Sequence, residues 1–207
     1  MVVNDWILFA IYLGLSSIPL VAANMVRQRF HNFVYSRKLA HGLAGLIVLS
    51  FPFVFTQPHI PVALSVVLLL AFVLAYKNGF FHGVSIKGRY SEIYFAGGFI
   101  LCFSSWYLVG PWPGIAAALF LAWGDGITGL VRYPLYHTQF EKGWGGSIAM
   151  LVSCLLIAIM VQPYWIGAVA AVVATIVEKQ RWVDDNITIP ICSILVMVGL
   201  LWLPSMN

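Results

Sequence analysis

The chain has 207 residues, of which 61% are apolar and only 9% are charged, and its net charge is +4. Soluble domains carry about 25% charged residues, so this composition excludes an ordinary water-soluble domain and indicates a protein surrounded by lipid. A nucleic-acid-binding protein would gather positive charge on a solvated surface, whereas these charges stand in short segments between apolar runs. We therefore expect an all-α, polytopic membrane protein that forms one domain over residues 1–207 and binds no nucleic acid.

Eight apolar runs approach the length of about 20 residues that a membrane-spanning helix requires. They cover roughly 6–24, 39–56, 61–76, 93–110, 112–131, 147–162, 164–178 and 187–204. Prolines next to the shorter runs support these boundaries. The pattern predicts a bundle of about eight transmembrane helices, and an even number of spans puts both termini on the same side.

The loops between the runs alternate in charge. All eleven Lys and Arg residues lie in or beside the odd loops, at about 25–38, 77–92, 132–146 and 179–186, and the short even loops hold none. The positive-inside rule places the odd loops in the cytoplasm and both termini outside, in the cell membrane if the source is prokaryotic. Six of the seven acidic residues share the cytoplasmic face, although acids contribute little to orientation. A bound polyphosphate and its metal would explain why this face is rich in both basic and acidic residues.

The first cluster on that face is Arg37, Lys38 and His41, which open the second predicted helix. Residues three and four apart share a side of a helix, so these side chains are neighbours. Free N–H groups and the positive dipole end make a helix N-terminus suitable for phosphate. The alternative is a basic membrane anchor with an interfacial histidine.

The second cluster is Asp125 between Gly124 and Gly126, inside the fifth apolar run. A carboxylate within an apolar span is costly and is by default functional. Carboxylate oxygen is a hard ligand that suits Mg²⁺, and glycine lets a ligand or backbone approach closely. The alternative is a glycine packing seam in which Asp125 pairs with a basic residue.

Two further clusters follow along the chain. Lys142 precedes Gly145, Gly146 and Ser147 at the start of the sixth predicted helix, where a glycine run can wrap backbone N–H groups around phosphate. The alternative there is an ordinary loop with Ser147 as the N-cap.

Glu178, Asp185 and Asn186 flank the last odd loop. Their side-chain oxygens suit a hard cation. The alternative is a helix cap in a solvated loop.

The order of these clusters resembles the family of dolichol kinase, phytol kinase and CTP-dependent diacylglycerol kinase, which is related to the cytidylyltransferases that form CDP-lipids. The resemblance covers about residues 37–190. The matching positions are Arg37, Lys38, His41, Gly124, Asp125, Gly126, Lys142, Gly146, Ser147, Glu178, Asp185, Asn186, Thr188 and Pro190. Gly145 departs from the pattern because the family usually has Glu there, and Glu141 could substitute for it. Gly143 replaces Ser or Thr, and Thr128-Gly129 replaces a small apolar residue.

The resemblance implies a membrane lipid kinase that transfers the γ-phosphate of CTP to an isoprenoid alcohol of the polyprenol, dolichol, phytol or geranylgeraniol type. It implies Mg²⁺ as cofactor. The implied metal ligands are Asp125, Glu178, Asp185 and Asn186, and the implied catalytic residues are Asp125, His41 and Lys142. The implied phosphate-binding residues are Arg37, Lys38, Lys142, Gly145, Gly146 and Ser147. The alternatives are a cytidylyltransferase that makes a CDP-lipid and a transporter of small solutes or lipids. The chain could act as a homodimer.

Overall fold

The computed structural model describes residues 4–78, 90–137, 142–180 and 183–203, and this part of the chain is helical apart from short connections. Its eight helices are α1 (Asp5–Phe30), α2 (Phe33–Val54), α3 (His59–Lys77), α4 (Ser91–Val109), α5 (Pro111–Tyr136), α6 (Trp144–Ala158), α7 (Tyr164–Lys179) and α8 (Asp185–Trp202). The predicted all-α class is confirmed for these residues. Each of the eight predicted apolar runs overlaps one helix.

Six of these helices are long and apolar enough to cross a membrane. The other two, α6 and α7, have 15 and 16 residues, and a straight span needs about 20. Large apolar side chains are exposed along the outer helices, for example Leu70 at 55% and Leu195 at 66%. Such a surface is compatible with contact to the lipid bilayer.

The central helix of the bundle is α5. Every residue from Ile115 to Ala122 is 0% exposed, and α2, α4, α6 and α8 pack around it. Small residues make this possible, because a side chain at Gly114 would overlap the backbone of Cys102 in α4. The outermost helix is α1, which packs on α2 and α3, and α3 packs on α4.

Charged side chains divide between the two ends of the bundle. At one end, Lys38 of α2 contacts Asp125 of α5, and Lys142 before α6 contacts Asp185 of α8. At the other end, His59 lies 3.2 Å from Asp5. The bundle therefore has one highly charged end, built from the start of α2, α6 and α8 and from the later part of α5 and α7.

Candidate functional site

The Asp125 side chain lies where α2 meets α5. The Nζ atom of Lys38 donates to the Asp125 Oδ2 atom at 2.7 Å and to its backbone carbonyl at 2.9 Å. The Nδ1 atom of His41 lies 3.6 Å from the same Oδ2 atom, which is longer than a hydrogen bond. All three side chains are largely buried, at 6%, 9% and 13% exposure for Lys38, His41 and Asp125. The first two clusters therefore lie side by side, and Asp125 pairs with a basic residue, as the alternative interpretation of this position describes.

A second group of charges joins α5, α7 and α8. Arg132 donates two hydrogen bonds to the Glu178 carboxylate, at 2.6 and 2.9 Å. Lys142 donates to the Glu178 carboxylate at 3.2 Å, to the Glu178 backbone carbonyl, and to the Asp185 carboxylate at 2.6 Å. Glu178 and Arg132 are buried, at 0% and 3%, whereas the Asp185 side chain is 25% exposed. Lys142 thus connects the buried pair to the more accessible carboxylate.

The two groups meet in one cluster, here called the carboxylate cluster, which consists of Asp125, Glu178 and Asp185. One oxygen from each lies within 4.8 Å of the others. An octahedral Mg²⁺ holds its ligands at about 2.1 Å, so neighbouring ligands are about 3 Å apart and opposite ones about 4 Å. The spacing and the hard oxygen donors therefore fit one divalent cation after a small inward movement. Because Arg132 occupies both oxygens of Glu178, the two aspartates are the more available ligands.

The start of α8 is fixed by Asp184. Its Oδ1 atom accepts from the backbone N–H of Asn186 at 3.0 Å and from the side-chain amide of Asn186 at 2.7 Å. The Ser91 hydroxyl at the start of α4 donates to its Oδ2 atom at 3.2 Å. The cap determines the direction in which the first turn of α8 presents Asp185. Asn186 is buried, and its Oδ1 atom has no hydrogen-bond partner in the described part of the chain.

Two helix starts differ from the predicted ones. Helix α2 begins at Phe33 rather than near residue 39, because the Asn32 side chain accepts from two backbone N–H groups of the first turn. Arg37 and Lys38 therefore lie in the second turn, and the expectation that they sit at a free helix N-terminus is wrong. The N-terminus that would have offered N–H groups to phosphate is capped by Asn32 itself.

Helix α6 begins at Trp144, with Gly143 as its N-cap, so the alternative interpretation with Ser147 as the N-cap is wrong. Gly145 and Gly146 therefore lie in the first helical turn and not in a loop. Their N–H groups belong to the set that an α-helix leaves without internal partners. Ser147 is buried, and its hydroxyl has no hydrogen-bond partner among the residues described.

Two glycines leave room for cationic side chains to cross between neighbouring helices. A β-carbon at Gly129 would overlap the side chain of Lys38, and one at Gly146 would overlap the side chain of Arg132. These glycines let the long side chains reach the carboxylate cluster across closely packed helices. The Thr128 hydroxyl donates to the Gly124 carbonyl of its own helix at 2.8 Å and lies 3.4 Å from the Gly146 carbonyl of α6, where α5 and α6 are in contact. The Thr128-Gly129 departure from the family pattern thus has a local structural role.

Position 145 faces away from the charges. A β-carbon there would meet Leu135 at 2.9 Å and the Tyr136 hydroxyl at 3.6 Å. Both residues lie near the end of α5, two or more turns beyond Asp125. A short side chain at 145 would therefore begin against α5 and not in the carboxylate cluster. Glu141, the suggested substitute, lies outside the described residues.

A cavity lies between α1, α2, α3 and α4. About 930 Å³ of empty space lies within it and its opening, so part of this volume is open to the surroundings. Arg37, His41, Ser91 and Glu92 line the end nearest the carboxylate cluster, and Phe51 belongs to the wall farther along α2. Because His41 belongs to the cavity wall and also lies beside Asp125, the cavity and the cluster share a boundary.

Arg132 is the functional candidate that the sequence did not reveal. It stands at the edge of the predicted loop 132–146, where the positive-inside rule alone accounts for a basic residue, but α5 continues to Tyr136. Arg132 follows Asp125 by seven residues, which is two turns along the same helix face. That spacing was the available signal, and it becomes visible only if the helix is extended past residue 131.

Comparison of the chain with protein-family models, with curated proteins and with solved structures found no match.

Proposed function

We propose that the chain is a membrane lipid kinase that transfers the γ-phosphate of CTP to an isoprenoid alcohol. The observation that carries this proposal is the shared boundary between an apolar cavity and a cluster of carboxylates and cations. The cavity suits the hydrocarbon tail of a lipid, and the cluster suits a metal-bound triphosphate. His41 lies at the boundary, where the alcohol's hydroxyl would meet the phosphate.

In this proposal Asp125 and Asp185 hold Mg²⁺, with Asn186 nearby, and Glu178 fixes the cluster through its pair with Arg132. Bound Mg²⁺ would neutralise part of the negative charge that develops on the phosphates. Lys38 and Lys142 exchange their contacts with the carboxylates for contacts with phosphate oxygens. Arg37 lies at the polar end of the cavity and adds a further cation. The N–H groups of Gly145 and Gly146 and the Ser147 hydroxyl are additional donors.

The reaction requires few groups because phosphoryl transfer depends mainly on positioning and charge stabilisation. The hydroxyl oxygen of the alcohol forms a bond to the γ-phosphorus. The bond from that phosphorus to the β–γ bridging oxygen breaks, and CDP leaves with its electron pair. We propose that His41 accepts the proton of the alcohol's hydroxyl. Its Nδ1 atom has no hydrogen-bond partner among the described residues, and its ring lines the cavity.

Two other activities fit less well. A cytidylyltransferase would use the same nucleotide and metal but would attack the α-phosphorus with a lipid phosphate and release pyrophosphate. A transporter needs polar or charged groups near mid-membrane on several helices. Here the described carboxylates lie at the two ends of the bundle, with Asp5 at one end and Asp125 at the other, so no charged path through the bundle supports transport.

The proposed membrane arrangement has all eight helices crossing the bilayer, with the charged end in the cytoplasm and both termini outside. The basic residues at that end support it through the positive-inside rule. Gln57 and His137 are exposed residues in connections at opposite ends of the bundle. Cysteines introduced at these two positions should react with impermeant reagents from opposite sides of the membrane. Labelling from the same side would exclude this arrangement.

The activity is tested with purified protein, Mg²⁺ and CTP that carries its label at either the γ- or the α-phosphate. The alcohols are polyprenols, phytol and geranylgeraniol, and diacylglycerol is included for comparison. Transfer of the γ-label to an alcohol is expected, whereas transfer of the α-label to a lipid phosphate would identify a cytidylyltransferase. Asp125→Asn should insert normally and lose turnover. Full turnover by Asp125→Asn would show that the metal assignment is wrong.

A further inference from the structure

We infer that the cavity between helices α1 to α4 selects its substrate by length. An aromatic floor limits the alcohol to about three or four isoprene units. The floor consists of Tyr12, Phe51 and Phe103. This inference rests on the proposed function for the identity of the headgroup, but its evidence is the shape and chemistry of the cavity wall.

The cavity is polar at one end only. Arg37, His41, Ser91 and Glu92 lie at the end nearest the carboxylate cluster. Farther along, the hydroxyls on the wall are bonded within the protein: Tyr12 pairs with Ser50 at 2.8 Å, and Ser65 donates to the Pro61 carbonyl at 2.9 Å. These groups offer no free donor to a ligand, so the long part of the cavity is suited to hydrocarbon. A molecule with one polar end and an apolar tail matches this distribution.

The three rings of the aromatic floor belong to the cavity wall at the end that lies away from the cluster. The Phe51 and Phe103 rings are 5.1 Å apart, and the Tyr12 and Phe51 rings are 5.4 Å apart. All three residues are at most 7% exposed, so their side chains are fixed by packing on α1, α2 and α4. An extended tail that enters from His41 would end against these rings.

Helix geometry gives the distance from the polar end to the floor. His41 and Phe51 are ten residues apart on α2, and a helix rises about 1.5 Å per residue, so the tail has about 15 Å. Glu92 and Phe103 on α4 give a similar length of about 17 Å. An extended chain advances about 1.2 Å per bond, as the backbone does, and an isoprene unit adds four bonds. About three or four units therefore fill the space.

The test measures turnover and binding for a graded series of prenyl alcohols, from two isoprene units to eleven. Turnover uses Mg²⁺ and CTP, and binding uses competition against a photoreactive three-unit alcohol without nucleotide. The wild-type protein should prefer three or four units, with a loss of about tenfold or more for the longest alcohols, because a pocket discriminates strongly against a tail that it cannot accommodate. A flat profile in both measurements would overturn the inference.

Variants at the floor should change the profile in a defined direction. Phe103→Ala and Phe51→Ala lengthen the cavity and should move the preferred alcohol to one unit more. The matched control is Phe53→Ala on the same helix, because Phe53 is 73% exposed and lies outside the cavity wall. An unchanged preference in both floor variants, with the protein folded, would contradict the inference.

A variant that shortens the cavity tests the same idea if the floor variants do not fold. Ile47 lines the cavity six residues along α2 from His41, about 9 Å from the polar end, and is only partly buried. Ile47→Phe should reduce binding of three- and four-unit alcohols more than binding of the two-unit alcohol, whose tail ends at about that depth. Equal effects on all alcohols would overturn the inference. If length-selective binding is found without any phosphate transfer, the proposed kinase activity fails and the length limit stands.

Discussion

The Arg132–Glu178 pair is the most buried ion pair described in the structure, at 3% and 0% exposure. Removing two charges from water costs several kcal/mol, and a buried pair of this kind adds little net stability compared with apolar residues of the same volume. Stability alone therefore does not account for it. Glu178 also accepts from Lys142, which contacts Asp185, so the pair holds the position of a cation that the proposed reaction uses.

Loss of one partner of this pair should be severe. Arg132→Met leaves the Glu178 carboxylate buried without its two hydrogen bonds. We expect the free energy of unfolding to fall by as much as about 3–5 kcal/mol, because breaking a buried pair leaves a charge that Lys142, 3.2 Å from the Glu178 carboxylate, compensates only in part. Denaturant unfolding in detergent micelles measures this change.

The double variant Arg132→Met/Glu178→Leu serves as the control, because it removes both charges together. It should recover most of the lost stability, since apolar replacement of a whole pair is often neutral. It should not recover turnover, because Lys142 has then lost the Glu178 carboxylate. Recovery of full turnover by the double variant would show that the pair does not position the site.

At the scale of the helices, the close approach of α2 and α5 brings Lys38 to Asp125. The approach depends on Gly129, over which the Lys38 side chain passes. Directly before Asp125, α5 contains a π-helical turn at Phe120–Gly124, and the Asp125 N–H donates to the Phe120 carbonyl. Such turns are frequent at functional sites, and this one changes the direction in which the following residue points. The two features together place the Asp125 carboxylate between its cations.

The substitution Gly129→Ala tests this helix contact. The added methyl group overlaps the flexible end of Lys38, so the ammonium moves away from Asp125 while the helices stay packed. We expect turnover to fall by about tenfold or more, as the loss of one positioned charge in a phosphate site would predict, with a small effect on stability. The matched control is Gly97→Ala, because a β-carbon at Gly97 has no neighbour within 4 Å. Equal activity of the two variants would argue against a role for Lys38.

The sequence reveals some parts of the site and hides others for physical reasons. Asp125 is recognisable because a charge within an apolar run is costly and needs an explanation. Asp185 is recognisable through its carboxylate oxygens, which suit a hard cation, and through its place in the family pattern. The start of α2 lies earlier than predicted because aromatic and polar residues from Phe33 onward look like a loop, although Asn32 is an available N-cap signal. The cavity was not predictable, since it arises from the packing of side chains on four helices.

At the scale of the whole molecule, the bundle separates an apolar region from one charged end. The carboxylate cluster draws its members from α5, α7 and α8, and its cations come from α2, α5 and the residue before α6. Residues far apart in sequence, such as Lys38 and Asp125, meet only because these helix ends converge. The proposed activity therefore requires that these converging helix ends bind a metal–nucleotide complex.

The most direct test is a titration of the purified protein with Mn²⁺, followed by electron paramagnetic resonance, with and without CTP. We predict that the wild-type protein binds one ion and binds it more tightly when CTP is present. Asp125→Asn and Asp185→Asn should each weaken this binding by at least about tenfold, the loss expected even for residues that only support a metal site. Asp5→Asn, at the opposite end of the bundle, should leave it unchanged. Wild-type affinity for Mn²⁺ and CTP in both cluster variants would contradict the account.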